Sequence, residues 1–208
     1  MSSTINALTS GGGLAMAGDT SGQLALQSAG TTFATGNQYG IGLGTAVPSS
    51  GIGIAFPATQ SASSDANTLD DYEEGTFTPT WLGSTTNPTV SGMQTCTYTK
   101  IGRLVTITGD MYATSVSSGS GNLSIGNLPF TAVSGATGYS GVPFGLTTGW
   151  SSTGSPTRGY VGASSNAVQL YTNASSDSRS NTGTVCTIAN TSLASYSEIY
   201  LSFSYITA

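Results

Sequence analysis

The closing stretch Ser197–Ile206 alternates without a slip. Ile199, Leu201, Phe203 and Tyr205 occupy every second place, with Tyr200, Ser202 and Ser204 between them. Successive side chains of a strand point to opposite faces, whereas a helix would scatter these four around its circumference. The pattern therefore predicts a strand with one face in a core and the other in water. Residues 104–112 repeat it, with Val105, Ile107 and Met111 on one face and Thr106, Thr108 and Asp110 on the other. Cys96 and Tyr98 share a face of a run at 95–99, and Lys100-Ile-Gly-Arg103 between these runs has the length of a hairpin loop. Further strand-like runs lie at 123–125, 142–146, 159–163, 167–172 and 184–189. Seven or eight short strands with frequent turn signals predict an all-β chain, an antiparallel β-sandwich of jelly-roll-like form. No segment pairs helical periodicity with caps, beyond one turn at 68–72.

Strands of this kind account for the composition. Ser and Thr number 66 and Gly 29 among 208 residues, and only 13 residues are charged. With Leu, Ile, Val and Phe totalling 39, the chain sits near the disordered range, but disorder normally also brings high net charge, and here it is −5. The surface is expected to carry hydroxyls in place of charges, which gives weak defence against self-association. Partners are narrowed too. Four bases against nine acids cannot neutralise a run of phosphates, so nucleic acid is not expected. With no His, imidazole chemistry is excluded, and two Cys make neither a disulfide framework nor a cysteine zinc site. No apolar run reaches 18 residues, so no membrane helix is expected. No base precedes Lys100, which speaks against a secretory signal.

The chain reads as two parts. Residues 1–66 hold two acids, no base and recurrent short alternations: Leu14-Ala-Met16, Leu24-Ala-Leu26, Ile41-Gly-Leu43 and Ile52-Gly-Ile54. Each is too short to bury much alone. An extended arm is expected, ordered by pairing across a symmetry axis or by lying on another protein. A Ser/Asp/Asn-rich linker follows, with Asp70, Asp71, Glu73 and Glu74 crowded together, and residues 67–208 form the sandwich.

Three segments carry a resemblance: Ala66-Asn-Thr-Leu-Asp-Asp-Tyr-Glu-Glu-Gly-Thr-Phe-Thr-Pro-Thr-Trp81, Tyr98-Thr-Lys-Ile-Gly-Arg-Leu-Val-Thr-Ile-Thr-Gly109 and Gly121-Asn-Leu-Ser-Ile-Gly-Asn-Leu-Pro-Phe130. In this order they resemble C-terminal modules of virion-surface proteins of tailed bacteriophages, notably cyanophages and marine phages, found in tail fibres, tailspike tips and capsid cement proteins. Thr4-Ile-Asn-Ala-Leu and Leu24-Ala-Leu-Gln-Ser-Ala-Gly-Thr-Thr resemble N-terminal parts of the same class. The resemblance implies a homotrimer with a β-sandwich body and no enzyme activity, cofactor or catalytic residue. Length favours a cement or decoration protein on the outer capsid surface, bound to the major capsid protein after assembly in the host cytoplasm, because a fibre also needs a shaft. The alternative is a short tail fibre or tailspike tip that recognises host surface polysaccharide.

Candidate residues follow from these readings. Leu14, Met16, Leu24, Leu26, Ile41 and Leu43 are the expected anchoring and oligomer contacts. Trp150 and Arg158, in a loop at 145–158, are candidate glycan contacts, against which Trp81 and Trp150 read first as core or interface residues. The Asp70–Glu74 cluster reads as a solvated hinge or an inter-subunit polar contact, ahead of a calcium site or a glycosidase pair. Cys96 and Cys186 read as buried thiols in a protein assembled in reducing cytoplasm. The Gly-rich stretches 11–13 and 40–44 lack the Lys and βαβ context of a phosphate cradle.

Overall fold

Turn chemistry organises the N-terminal part. The computed structural model describes residues 22–59, 63, 65, 67–150, 154–172, 184–185 and 197–207. The chain divides into two compact units, one through Asp70 and one from Asp71 onward. In the first, Ala29 and Gly30 both have positive φ, 49° and 78°. That is the two-residue hairpin turn whose twist suits its flanking strands, and it joins β1 (Leu24–Ser28) to β2 (Thr31–Asn37). At the next reversal Asn37 Oδ1 accepts the Tyr39 N–H at 2.8 Å, and β3 (Gly40–Leu43) returns along β2. β4 (Gly53–Ala55) pairs parallel to β3, giving the order β1-β2-β3-β4. The sequence predicts an extended arm here; over 22–59 the strands pair with one another instead. The reason is the Ala29-Gly30 turn, which an Ala at positive φ conceals from turn statistics.

The parallel pairing of β3 with β4 requires a connection across one face of the sheet. Residues 44–52 make it. Thr35 Oγ1 donates to Ala46 O at 3.1 Å and Asn37 Nδ2 to Pro48 O at 2.8 Å. Gly42 permits the close approach, since a Cβ there would lie 1.9 Å from Ala46 O.

The second unit contains β5 (Tyr72–Phe77), β6 (Thr80–Gly83), β7 (Thr89–Ser91), β8 (Cys96–Ile101), β9 (Leu104–Ala113), β10 (Ser115–Ser117), β11 (Leu123–Gly126), β12 (Ser140–Thr148), β13 (Arg158–Val161), β14 (Val168–Thr172), β15 (Thr184–Val185) and β16 (Ser197–Ile206). One 3₁₀ turn at Ala136–Gly138 precedes β12. β7 and β10 pair apart from the rest. The remaining ten strands form one antiparallel sheet in the order β5-β8-β9-β16-β12-β13-β14-β11-β6, with β15 beside β14. The long strands β9 and β16 pair from Leu104 opposite Ile206 to Ala113 opposite Ser197. The β8–β9 hairpin closes on Gly102 and Arg103 alone, with Gly102 at φ 54°. A two-residue turn suffices with glycine in its first central place, so Lys100 and Ile101 stay in the ladder and not in the expected loop.

The sheet curls across β12. Ser140–Pro143 pairs with β13, while Phe144, Thr147 and Thr148 pair with β16 across a register shift. Pro143, which has no N–H to give, stands at the changeover, and such irregularities bend a strand. Both halves of the sheet then contribute to one core. Val105, Ile107, Met111, Ile199, Leu201, Phe203 and Tyr205 enter it from one half; Trp81, Leu123, Ile125, Val142, Val161, Val168 and Leu170 enter from the other. The alternations in β9 and β16 are buried as their pattern predicts. Outward, β9 and β16 carry hydroxyls, with Thr106 Oγ1 and Ser204 Oγ 2.9 Å apart across the ladder.

Candidate functional site

Residues directly opposite in a sheet share a face. In the N-terminal sheet Leu24 faces Gly36 and Leu26 faces Ala34. Ala34 in turn faces Leu43, Gly36 faces Ile41, and Ile41 faces Ile54. One face of this sheet therefore carries Leu24, Leu26, Ala34, Ile41, Leu43 and Ile54, all of them apolar. The opposite face carries Thr35 and Gly42 and lies under the chain's own crossover. The apolar face stays open: Leu24, Leu26, Ile41 and Ile54 are 40 %, 41 %, 51 % and 62 % exposed. Ala34 is buried between its neighbours and Leu43 is half-buried.

Four of the expected anchoring residues, Leu24, Leu26, Ile41 and Leu43, are thus brought onto one face. Leu14 and Met16 lie outside the described residues. Ile54 joins the face unforeseen, although its alternation with Ile52 was visible in the sequence. The missing signal was register, because only the pairing of β3 with β4 places Ile54 beside Ile41. Aliphatic side chains aligned across four strands can do one thing chemically, which is to leave water against another apolar surface.

The acidic cluster is distributed among separate partners. Asp71 forms a buried ion pair with Lys100, whose Nζ also lies 5.6 Å from the centre of the Phe130 ring. Lys100 follows Cys96 and Tyr98 on the inward face of β8, and a charge placed there needs a counter-charge. Glu73 accepts the Tyr98 hydroxyl, and that bond is the first cause holding the Tyr98 phenol up to about 12. Glu74 accepts the Tyr72 hydroxyl and likewise raises that phenol. Asp70 Oδ2 accepts the Ser63 N–H at 2.7 Å. Among the described residues no group of three or more His, Cys, Asp or Glu is arranged to hold a metal ion.

A second acidic pair forms where sequence distance hid it. Asp110 on β9 and Glu198 on β16 meet on the outer face of the sheet, close enough to hydrogen-bond. Burial first, then the Glu198 charge, holds the Asp110 carboxyl above its ordinary value. Asp110 Oδ1 is buried with no hydrogen-bond partner, while Glu198 Oε2 accepts the Thr148 hydroxyl at 3.1 Å.

Trp81 is fully buried and meets Trp150 edge to face, with ring centres 5.4 Å apart. Trp150 is half-buried, and its indole N–H donates to Glu198 O at 3.2 Å. Arg158 is exposed at the start of β13, opposite Tyr171. Cys96 is a buried free thiol, pushed up to about 11 mainly by burial, and Cys186 lies outside the described residues. No family model, curated protein or solved structure matches the chain.

Proposed function

We propose that the protein is a non-enzymatic structural protein of a tailed-phage virion, a homotrimeric capsid cement or decoration protein. The body serves as a jelly-roll-like sandwich projecting from the shell, and the N-terminal unit binds the major capsid protein. The observation that supports this most is the open apolar face of the N-terminal sheet. Leu24, Leu26, Ile41 and Ile54 present their side chains on one side, while on the other the chain's own crossover is bonded to Thr35 and Asn37. A face of this kind gains by leaving water against a lattice of capsid subunits. Because the ligand binds the assembled lattice and not its free subunits, binding stabilises the shell by mass action.

The test uses the full chain. Leu26→Lys combined with Ile54→Lys places two charges on the open face, where no core is disturbed. The expected result is a protein with unchanged circular dichroism that no longer coats capsids, together with hundreds of wild-type copies per virion by gel densitometry. Coating that survives the two lysines, or a copy number of only a few to some tens, overturns the proposal.

A further inference from the structure

The outer face of the β13–β14 half of the sheet differs in chemistry from the apolar face of the N-terminal unit. Tyr160 on β13 stands opposite Gln169, one step diagonally from Tyr171 on β14, so both rings share this face. Their ring centres are 5.8 Å apart and their planes differ by 32°. Tyr139, just ahead of β12, extends the row: its ring centre lies 6.0 Å from that of Tyr160, with planes 30° apart. A hydrogen bond joins Tyr160 to Tyr171. Tyr139 is 62 % exposed, and Tyr160 and Tyr171 are half-buried. Beside the row, Gly141 on β12 stands opposite Tyr160, and the space over its α-carbon is open for 4 Å. Arg158 stands opposite Tyr171 and Gln169 opposite Tyr160, so the strip is bordered by hydrogen-bond donors and acceptors.

We propose that this tyrosine strip, Tyr139-Tyr160-Tyr171 with Gln169 and Arg158 at its border, is a binding platform for an oligosaccharide. The two surfaces match. A sugar ring has an apolar face of C–H groups and a rim of hydroxyls. Tyrosine offers the complement, an apolar ring with a polar tip, at a cost of only two side-chain torsions. Three rings in a row, successive planes inclined by 30° and 32°, suit a chain of repeating rings better than a single small molecule. One arginine cannot follow a phosphate backbone, so single-stranded nucleic acid is disfavoured although bases also stack on tyrosine. The inference does not depend on the capsid assignment.

The test is affinity electrophoresis of the full-length protein through gels containing dextran, soluble starch or purified bacterial surface polysaccharides, with maltohexaose and cellohexaose as defined probes in titration calorimetry. The expected result is retention by at least one polysaccharide. Tyr139→Ala and Tyr160→Ala should each weaken it by about tenfold, while Tyr200→Ala on the other half of the sheet leaves it unchanged. Tyr139 is exposed, so its truncation is a fair test even if Tyr160→Ala disturbs folding. Absence of retention in every gel overturns the proposal, as does retention indifferent to Tyr139→Ala. A fall in sedimentation mass on Tyr139→Ala overturns it in favour of a contact between copies of the chain. Capsid coating by Tyr139→Ala should be unaltered, which keeps the two proposals separable.

Discussion

Lys100 and Asp71 show how one side chain can commit a fold. Lys100 is placed inward by the alternation of β8, and its ammonium meets the carboxylate of Asp71, the residue that precedes β5. Removing one member of such a pair leaves an uncompensated buried charge, which costs about 3–5 kcal/mol, whereas replacing both with apolar residues is often neutral. Asp71→Leu or Lys100→Met alone should lower the urea midpoint strongly, and the double variant should recover most of the loss. Asp110 has the opposite sign. Its folded carboxyl is held above the ordinary value of 3.8 by burial and by Glu198. A carboxyl raised on folding favours the native state at low pH, and that contribution is lost as pH rises through the folded value. Asp110→Asn should therefore raise the melting temperature at neutral pH and make no difference near pH 3. Thermal melts across this range check the sign.

Among the elements, the N-terminal sheet depends on its crossover. Residues 44–52 lie against Thr35, Asn37 and Gly42 on the face opposite the apolar one, and Gly42 is where backbone meets backbone. A Cβ at this position would lie 1.9 Å from Ala46 O. Gly42→Ala should push the crossover off the sheet and break the bonds from Thr35 and Asn37. Hydrogen exchange should then show lost protection at β3 and β4, with β9 and β16 unchanged, because the two units are separately compact. In the body, β12 is the corresponding element. Its two ends pair with different neighbours, and the changeover at Pro143 brings the inner faces of both halves onto one core.

At the scale of the whole molecule, scarcity of charge sets how the protein meets others. Only 13 of 208 residues are charged, and Asp71 and Lys100, two of those, are buried against each other. Association through the N-terminal face should therefore owe little to ion pairs. Sedimentation analysis of self-association or of capsid binding should show little weakening in 1 M sodium chloride, where exposed charges are screened within about 3 Å. Sulfate should strengthen the contact, since salts excluded from protein surfaces favour burial. Marked weakening by sodium chloride would instead point to the exposed carboxylates and arginines as the contact.

By itself, the sequence determined the β class and the inward faces of the long strands. Period-2 alternation is a local property, so Val105, Ile107 and Met111 on β9, and Ile199, Leu201, Phe203 and Tyr205 on β16, could be assigned to the core from the chain alone. Leu24, Leu26, Ile41 and Leu43 were legible as short apolar alternations on the same ground. Their union with Ile54 on one face was not, because register between strands depends on turns and on a crossover spanning many residues. The tyrosine row depends likewise on tertiary pairing: Tyr139, Tyr160 and Tyr171 stand far apart in sequence and meet only through the β12–β13–β14 ladder. The same holds for Asp71 with Lys100 and Asp110 with Glu198. Alternation tells each strand which side faces in, but only the folded sheet decides which side chains become neighbours.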